Sequence, residues 1–459
     1  MKRKIIAIFS LLATVLLTGG LGCKGLSADE QAAIQPISLT YWTVYGDIDE
    51  LRALAAEYSQ LRTYVTVNIR QIRYDELEER LLTALADDVP PDIISIPAES
   101  IPQYLKWLEP MPRQVSVSNV YTKGTYAKET VVERVVQPMP TLREIESTFV
   151  QAVVDDAVIG NQVYGLPLSL DTLALYYNKN LLDLSGIPTP PRTWDDFQKA
   201  VEQIVRYDVN GNVTQVGVGL GTGSNVNNAA DILALLMLQN GVEPIKGNRV
   251  AFHAGMEKNV SQNHKTFESL RFYTQFSDKT KKAYTWNEKQ EQALDAFVRG
   301  KSAFYIGYAR DFAQMSRRAQ ALNLEVIPLP QLNPNRPTNV TSYWVESVVE
   351  KSNKGNHAWD FVRFMTTERN IRKYVESTRL PSPVRTHVTL FQDDEVLGPF
   401  AQQVLFAKTW YSGRDADRAK RAFADLIEAY RLPGATDKKK LENDVNAVNY
   451  AAQIIQQTL

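Results

Sequence analysis

Three strings in the sequence contain residue types that could bind phosphate, a dinucleotide or calcium, but none of them completes its motif. The string GKS at residues 300–302 could end a phosphate-binding loop, yet Asp295 stands where that loop needs its first glycine. VGVGLGTG, residues 216–223, lacks the glycine spacing of a dinucleotide-binding turn. DVNGN, residues 208–212, begins like a calcium loop, but its glycine comes early and no glutamate stands at the twelfth position.

The histidines and the cysteine of the chain do not form a metal-binding pattern either. Zinc sites place their ligands at short, regular spacings. The four histidines are spread along the second half of the chain, and the one cysteine lies near the N-terminus: His253, His264, His357, His387 and Cys23. We therefore expect neither a bound metal nor a cofactor.

One acid interrupts an apolar segment that otherwise has the composition of a buried strand. The segment is VYGLPLSLDTLALYYNKNLLD, residues 163–183, in which Gly165 and Pro167 break the first part and Asp171 follows. A buried carboxylate without a partner is strongly disfavoured. Asp171 therefore needs a specific role, and the elements around it must supply one.

The N-terminus predicts an exported protein. Three basic residues, 2–4, precede an apolar run at residues 5–17, which is shorter than the roughly 20 residues of a membrane-spanning helix. Cys23 follows where cleavage is expected, and this segment resembles the lipobox of bacterial lipoproteins, although Gly20 replaces the usual aliphatic residue. We expect a signal peptide over residues 1–22 and lipidation of Cys23, with a soluble secreted protein as the alternative.

The charge balance argues against nucleic acid as a partner. The chain has 51 Lys and Arg against 52 Asp and Glu. Loss of the three basic residues of the signal peptide changes the net charge from −1 to −4. An acidic chain of this length predicts a globular protein with more than one core, joined to its anchor by a tether at residues 23–36.

Strand-like and helix-like segments alternate through the first part of the chain. A strand is expected from residue 37 to 45, and a helix follows in which Asp47 and Glu50 have the spacing of a capping box. A strand at 65–72, a helix at 74–86 and a third strand in PPDIISI come next. This order predicts a parallel sheet with helices on both faces and ligands at the carboxyl ends of its strands.

A second alternating block runs from about residue 173 to 329. Thr193 is expected to open the helix of TWDDFQKAVEQIV, and Gly241 to close the helix of AADILALLMLQNG. VTQVGVGL and SAFYIGY have the composition of strands. The pattern predicts two α/β lobes with more than one crossing between them.

In this order, the motifs resemble family 1 extracellular solute-binding proteins of bacterial ABC importers, the maltose-binding-protein-like group. The motifs cover nearly the whole mature chain: LTYWTVYGDIDELRALAAEY, PPDIISI, NQVYGLPLSLDTLALYYNKNLL, PRTWDDFQKAVEQI, AFVRGKSAFYIGYARDF, VIPLP and SYWVESVVEKSNKGNHAWDFVRFM. The resemblance implies an α/β fold of the type II periplasmic-binding-protein kind, in which two lobes close over a solute held in the cleft between them.

The resemblance also implies where the lobes divide. The chain would cross between lobes near residues 168–172, 328–330 and 378–381. Lobe one would then comprise 37–168 plus 331–378, and lobe two 169–330 plus 379–459. The stretch 111–158 departs from the family pattern and is interpreted as a decoration of lobe one.

The solute-binding residues are also implied by the resemblance. A sugar needs flat apolar faces for its C–H surfaces and fixed polar groups for its hydroxyls. Residues of both kinds fall where the family lines its cleft: Tyr45, Asp47, Glu99, Asp171, Asn227, Tyr308, Arg310, Tyr343, Trp344 and Trp410.

Each of these residues also has a structural interpretation. Asp47 and Asn227 could cap helices, and Asp171 could brace a turn at the crossing. Arg310 could form an ion pair within the fold. Glu99 could be an exposed loop acid, and the aromatic residues could lie in a core.

The sequence thus predicts a monomeric, non-catalytic receptor that captures a carbohydrate and delivers it to the permease subunits of an ABC transporter. Its contact with the membrane would be through the lipid anchor alone. A secreted carbohydrate-active enzyme is the first alternative, because Asp171 and Glu99 could be a catalytic carboxylate pair. A sensory or envelope binding protein of the same fold for another polar solute is the second.

Overall fold

The structure is a computed structural model that describes residues 26–44, 47–125, 128–256, 261–320 and 322–459. The predicted signal peptide, Cys23 and Tyr45 lie outside the described residues. Among the residues that are described, no helix combines the length and the apolar character that crossing a membrane requires.

The strands of the described chain, in sequence order, are β1 Ile37–Thr43, β2 Val65–Gln71, β3 Ile93–Pro97, β4 Leu108–Glu109, β5 Gln114–Lys123, β6 Glu129–Pro138, β7 Val158–Ile159, β8 Gln162–Val163, β9 Asp171–Asn178, β10 Arg206–Tyr207, β11 Val213–Val218, β12 Ile245–Lys246, β13 Arg249–Val250, β14 Ser302–Tyr308, β15 Leu324–Pro328, β16 Asn339–Ser342, β17 Trp344–Val349 and β18 Ala407–Lys408.

The α-helices are α1 Ala28–Ala33, α2 Ile48–Leu61, α3 Leu77–Ala86, α4 Ile101–Tyr104, α5 Leu142–Thr148, α6 Gln151–Ala157, α7 Lys179–Leu184, α8 Trp194–Ile204, α9 Ala229–Gln239, α10 Lys265–Thr274, α11 Ala293–Val298, α12 Ala309–Arg318, α13 Gly355–Met365, α14 Glu368–Thr378, α15 His387–Phe391, α16 Leu397–Ala401, α17 Ala416–Arg431 and α18 Asp437–Gln456.

The first lobe is built on a five-stranded sheet in the order β2-β1-β3-β17-β4. β1 runs parallel to β2 and β3, as the alternating pattern predicts. β17 comes from much later in the chain and pairs antiparallel with β3 and β4. The predicted parallel sheet is therefore confirmed for its first three strands, and a returning strand completes it.

The second lobe is built on a sheet in the order β10-β11-β14-β9-β16-β18, with β15 also paired to β9. β9 is antiparallel to β14, β15 and β16 and is buried along its whole length. The fully apolar segment after Asp171 therefore reflects a strand covered on both faces. Asp171 is the first residue of β9, where the chain enters this sheet.

Helix signals in the second block behave as the sequence predicts. Thr193 caps α8, its hydroxyl accepting from the backbone N–H of Asp196 at 3.2 Å. Gly241 follows α9 with φ of +77°, a conformation that favours glycine. α9 is buried along nearly its whole length, because its residues are apolar on every side except at Asp231 and at Gln239, its last residue.

The capping box expected at the start of α2 is wrong. Asp47 is the N-cap residue, but its side chain makes no capping hydrogen bond. The carboxylate instead accepts from the hydroxyl of Tyr374 at 3.4 Å. Tertiary packing of α14 against α2 thus gives this acid a different partner.

Two clusters of buried apolar side chains divide the chain into two lobes. One extends from Leu39 to Leu170 and takes in most of β17, α13 and α14. The other begins at Leu173 and includes the C-terminal helices. The change from one core to the other between Leu170 and Leu173 lies within two residues of the first predicted crossing.

The second crossing differs from the prediction. β15 is followed by β16, which pairs with β9 and therefore stays with the second sheet. The chain reaches the first lobe only at Tyr343, between β16 and β17, and not near residues 328–330. Helices between 384 and 404 also contribute side chains mainly to the first core. The full set of predicted lobe boundaries stays a prediction.

The stretch 111–158 contains a long hairpin followed by two helices. β5 and β6 pair over ten residues each, and β5 packs against α13. Val115 and Met139 belong to the first core. The hairpin is thus attached to the first lobe and forms no part of the residue cluster described below.

Candidate functional site between the lobes

Asp171 is braced by the backbone at the point where the chain enters the second sheet. Its Oδ1 accepts from the N–H of Thr172 at 2.9 Å and of Ala309 at 2.8 Å, and its Oδ2 from the N–H of Arg310 at 3.0 Å. The last two donors open α12, where a carboxylate is favoured by the free N–H groups and the helix dipole. Burial raises the pKa of Asp171 to about 6, although these bonds and the charge of Arg310 oppose the rise.

Arg310 connects this carboxylate to an aromatic ring. Its guanidinium lies 4.0 Å from the centroid of the Tyr308 ring, a cation–π contact. The same group donates to Ser342 Oγ at 3.2 Å and approaches Asp171 Oδ2 at 3.7 Å. Because the side chain is 45% exposed, it keeps donor groups within reach of solvent or a solute.

Asp231 connects two aromatic side chains through hydrogen bonds. Its Oδ2 accepts from the hydroxyl of Tyr308 at 2.9 Å and its Oδ1 from Trp410 Nε1 at 2.7 Å. Trp410 also stacks on Phe423, with ring centroids 4.8 Å apart and planes 10° apart. The predicted residues Tyr308 and Trp410 are therefore brought together, through an acid that the sequence analysis did not select.

Side chains of the two lobes meet next to Asp231, Tyr308 and Trp410. Glu99, just after β3, pairs with Lys420 of α17 at 2.6 Å. The backbone N–H of Gly413 donates to the carbonyl of Glu99 at 3.0 Å, and the Tyr74 hydroxyl lies 3.4 Å from Asp417 Oδ1. We call these five residues the interlobe contact. Glu99 is thus a paired acid and not an exposed loop acid.

Asp156 joins three segments near the second crossing. It accepts hydrogen bonds from the Tyr343 hydroxyl at 2.7 Å and from Thr409, the neighbour of Trp410. Burial raises the pKa of Asp156 to about 7, although the two hydrogen bonds lower it. Tyr343 is 4% exposed. Its hydroxyl therefore stabilises the second crossing through its hydrogen bond to Asp156.

The other predicted residues lie apart from this group or at its edge. Trp344 contacts Tyr74 edge-on at 5.9 Å and so borders the interlobe contact. Asn227 accepts from the backbone N–H of Leu294 and ties α9 to α11. Asp47 has Tyr374 as its partner, as described above. Contact of these three residues with a solute stays a prediction.

Sequence reasoning missed the charged residues that connect the aromatic ones. Asp231 carries a visible signal, since it is the one charged residue in a helix that is otherwise apolar up to its last residue, Gln239. Lys420 and Asp156 lie in ordinary charged helix segments with no such signal. Their partners come from distant parts of the chain, so only the folded structure shows the contacts.

A cavity of about 990 Å³ lies elsewhere on the second lobe. It is bordered by α10, the end of α17 and the start of α18, with Arg271, Lys281, Tyr430 and Lys440 among its lining residues. It contains none of the predicted site residues. The site is therefore defined by the convergence of polar and aromatic side chains at the crossings, not by this cavity.

Comparison with known proteins agrees with this architecture. The family model described as bacterial extracellular solute-binding protein matches residues 53–399. A probable ABC transporter-binding protein of Deinococcus radiodurans is 23% identical over 257 residues, which are 55% of this chain and 58% of that protein. The diacetylchitobiose-binding protein of Streptomyces coelicolor is 22% identical over 44% of this chain and 43% of its own. The chain thus spans about half the length of these relatives.

Solved structures match over a greater length. The cyclic α-maltosyl-1,6-maltose-binding protein of Arthrobacter globiformis superposes with a TM-score of 0.70, covering 92% of this chain and 98% of that one at 16% identity. At this identity, the match shows a common two-lobed, type II periplasmic-binding-protein fold. The predicted fold class is confirmed.

Proposed function

Because the chain belongs to the bacterial extracellular solute-binding protein family, we propose that it captures a carbohydrate between its lobes and delivers it to the permease subunits of an ABC transporter. The observation that carries this proposal is the group around Asp231, in which Tyr308 and Trp410 are held beside Arg310 at the entry to the second sheet. Aromatic faces with a few fixed polar groups are what sugar recognition requires. Tyr308 and Trp410 are 1% and 5% exposed while the lobes touch, so the proposal requires that a solute reach these rings when the lobes are separated.

The charged residues around Asp231 and in the interlobe contact favour a neutral solute. Glu99, Asp171 and Asp231 supply three carboxylates, against the cations of Arg310 and Lys420. Both cations already have acidic partners, so an anionic solute would have to compete with them. The names of the relatives, a diacetylchitobiose-binding protein and a cyclic maltosyl-maltose-binding protein, support neutral oligosaccharides as the class to test.

Lobe closure supplies the mechanism. Groups from both lobes contribute to the region around the interlobe contact, so a solute there gains its full set of contacts only when the lobes approach. A solute that binds the closed arrangement more tightly shifts the population toward it. The ten residues that the family resemblance implies remain our proposed contacts with the solute: Tyr45, Asp47, Glu99, Asp171, Asn227, Tyr308, Arg310, Tyr343, Trp344 and Trp410. Asp171 and Tyr343 also stabilise the crossings between the lobes.

Membrane attachment would come from lipidation of Cys23 after removal of residues 1–22. Two or more acyl chains hold a protein firmly at a bilayer, at about 0.8 kcal/mol per buried CH₂. The protein would act as a monomer in the periplasm or at the cell exterior. A radiolabelled fatty acid should be incorporated into the wild type and not into Cys23→Ser, whereas equal incorporation into both would refute the anchor.

Titration with neutral oligosaccharides tests the binding function. Calorimetry with maltotetraose, mannobiose and diacetylchitobiose should give saturable binding for at least one sugar, with a smaller radius of gyration in solution scattering. Trp410→Ala should abolish that binding, while Tyr450→Ala, which removes a ring that is 65% exposed on α18, should leave it intact. No binding by any sugar, or equal effects of the two variants, would refute the proposal.

The same samples separate a receptor from an enzyme. A glycosidase needs two carboxyl groups about 5 to 10 Å apart across the scissile bond. The carboxylate of Asp171 is occupied by three backbone donors and that of Glu99 by Lys420, which disfavours a role in proton transfer. We expect the sugars to be recovered unchanged after long incubation, and accumulation of shorter products would establish the enzyme instead.

A further inference from the structure

Asp231 is an acid in a setting that normally excludes acids. It lies in the first turn of α9, whose residues from 229 to 237 are all buried. The residue is 8% exposed. An ionised side chain in such a position is tolerated only when its oxygens have hydrogen-bond partners. Its two oxygens each have one.

The two partners are the aromatic side chains on which the proposed function depends. Tyr308 is the last residue of β14, and Trp410 follows β18, so the two arrive from segments far apart in the sequence. One carboxylate oxygen accepts from each ring, at 2.9 and 2.7 Å. Asp231 therefore ties together two rings that the backbone alone does not connect.

Further contacts extend this constraint to both rings. Trp410 stacks against Phe423 on one side, and the indole hydrogen bond fixes its rotation about that stack. The ring of Tyr308 carries the guanidinium of Arg310, so movement of the ring would also move that cation. The position of the half-exposed Arg310 guanidinium thus depends, through the Tyr308 ring, on the buried carboxylate of Asp231.

We propose that Asp231 is a positioning residue for solute binding: it sets the orientation of Tyr308 and Trp410, and through Tyr308 that of Arg310, without touching the solute. This inference rests on the proposed carbohydrate-binding function. It differs from a purely structural role, because it predicts that solute affinity depends on the two hydrogen bonds even when the lobe remains folded.

Two substitutions at this position separate hydrogen bonding from charge. In Asp231→Asn, the amide oxygen can accept from Trp410 Nε1 while the amide nitrogen donates to the Tyr308 hydroxyl, which can act as an acceptor. Both contacts then persist without the charge. Asp231→Ala removes both contacts. We expect affinity within about threefold of wild type for the asparagine variant and a loss of about 10- to 100-fold for the alanine variant.

The binding test uses the tightest-binding sugar among maltotetraose, mannobiose and diacetylchitobiose, measured by calorimetry well below the unfolding temperature of each variant. Asp444→Ala is the matched control, since Asp444 is a helix acid of the same lobe that is 6% exposed and pairs with Lys440. The control should lose stability but keep its affinity. Wild-type affinity in Asp231→Ala, or equal losses in the alanine and asparagine variants, would overturn the inference.

A second measurement does not need a sugar. In ¹⁵N-labelled protein, the indole N–H of Trp410 should be protected from solvent exchange in wild type and Asp231→Asn, and at least tenfold less protected in Asp231→Ala. Unchanged protection in the alanine variant would overturn the positioning role. If no sugar binds the wild type while protection behaves as expected, the proposed function fails and the arrangement around Asp231 stands.

Tyr308→Phe and Trp410→Phe replace the alanine variant if that protein does not fold. Tyr308→Phe loses its one contact with Asp231 and keeps the ring, and Trp410→Phe loses the indole donor. Each should weaken sugar binding by about 3- to 30-fold. Unaltered affinity in both variants would overturn the inference.

Discussion

Removing the ammonium group of Lys420 should separate the lobes of the sugar-free protein. Lys420 lies on α17 of the second lobe, and its partner Glu99 follows β3 of the first. Lys420→Met keeps most of the aliphatic stem and removes the charge. The carboxylate of Glu99 is then left without its cation whenever the lobes touch, whereas water can solvate it when they separate.

The size of the effect follows from the burial of the pair. Exposed ion pairs contribute about 0–1 kcal/mol, and removal of one partner from a fully buried pair costs about 3–5 kcal/mol. The side chains of Lys420 and Glu99 are 31% and 12% exposed, which lies between these limits. We expect the touching arrangement to lose about 1–3 kcal/mol, a change of about 5- to 150-fold in its ratio to the separated arrangement.

Solution scattering of the sugar-free protein measures this change as an increase in the radius of gyration. Lys373→Met is the matched control, because Lys373 pairs with Glu57 at 2.7 Å within the first lobe. The double variant Lys420→Met with Glu99→Gln should recover part of the compaction, since it leaves no unpaired charge. Sugar affinity should fall in parallel in Lys420→Met, because the closed arrangement holds the solute.

Identical scattering curves for Lys420→Met and Lys373→Met would refute this reasoning. Such a result would mean that the hydrogen bond between Gly413 and the carbonyl of Glu99, together with apolar packing, sets the lobe separation. A smaller radius in Lys420→Met would contradict it more strongly, because the ion pair would then be opposing closure.

Three further predictions concern stability. Burial raises the pKa of Asp171 to about 6 and of Asp156 to about 7, so the native state binds protons that the unfolded chain has already released above about pH 4. This contribution to stability is therefore present at low pH and is lost as the pH rises to about 7. Asp156→Asn should make the melting temperature fall less steeply between pH 5 and 8. An unchanged slope of melting temperature against pH would contradict this prediction. Arg62→Met should cost about 1–3 kcal/mol in guanidinium unfolding, because Asp360, which is fully buried, loses one of its two ion pairs and keeps the 2.9 Å pair with Arg363, and an unchanged unfolding midpoint would refute that assignment. Thr193→Ala should cost about 1 kcal/mol by removing the cap of α8, with Thr193→Ser as a control that keeps the hydroxyl.

The architecture could be predicted wherever a local signal and the tertiary structure agree. The apolar run after Asp171 indicates a strand buried on both faces, and β9 lies at the centre of the second sheet. Thr193 caps its helix because the partner N–H is three residues away. Such local contacts depend on spacing in the sequence, and the sequence shows them directly.

Prediction was weaker where a residue's partner is distant in the sequence. The spacing of Asp47 and Glu50 suited a capping box, but Tyr374 of α14 provides the partner. The second crossing was placed too early, because the pairing of β16 with β9 has no local signal. Asp231 and Lys420 acquire their roles from Trp410 and Glu99, each brought close by the meeting of separate segments.

The identity of the solute carried by the protein tests the central claim most directly. Freshly purified protein should be denatured, and the released small molecules analysed by mass spectrometry. We predict a neutral carbohydrate, released in proportion to the protein and absent from a Trp410→Ala preparation. An anionic solute, an amino acid or a peptide present in that proportion would contradict the account.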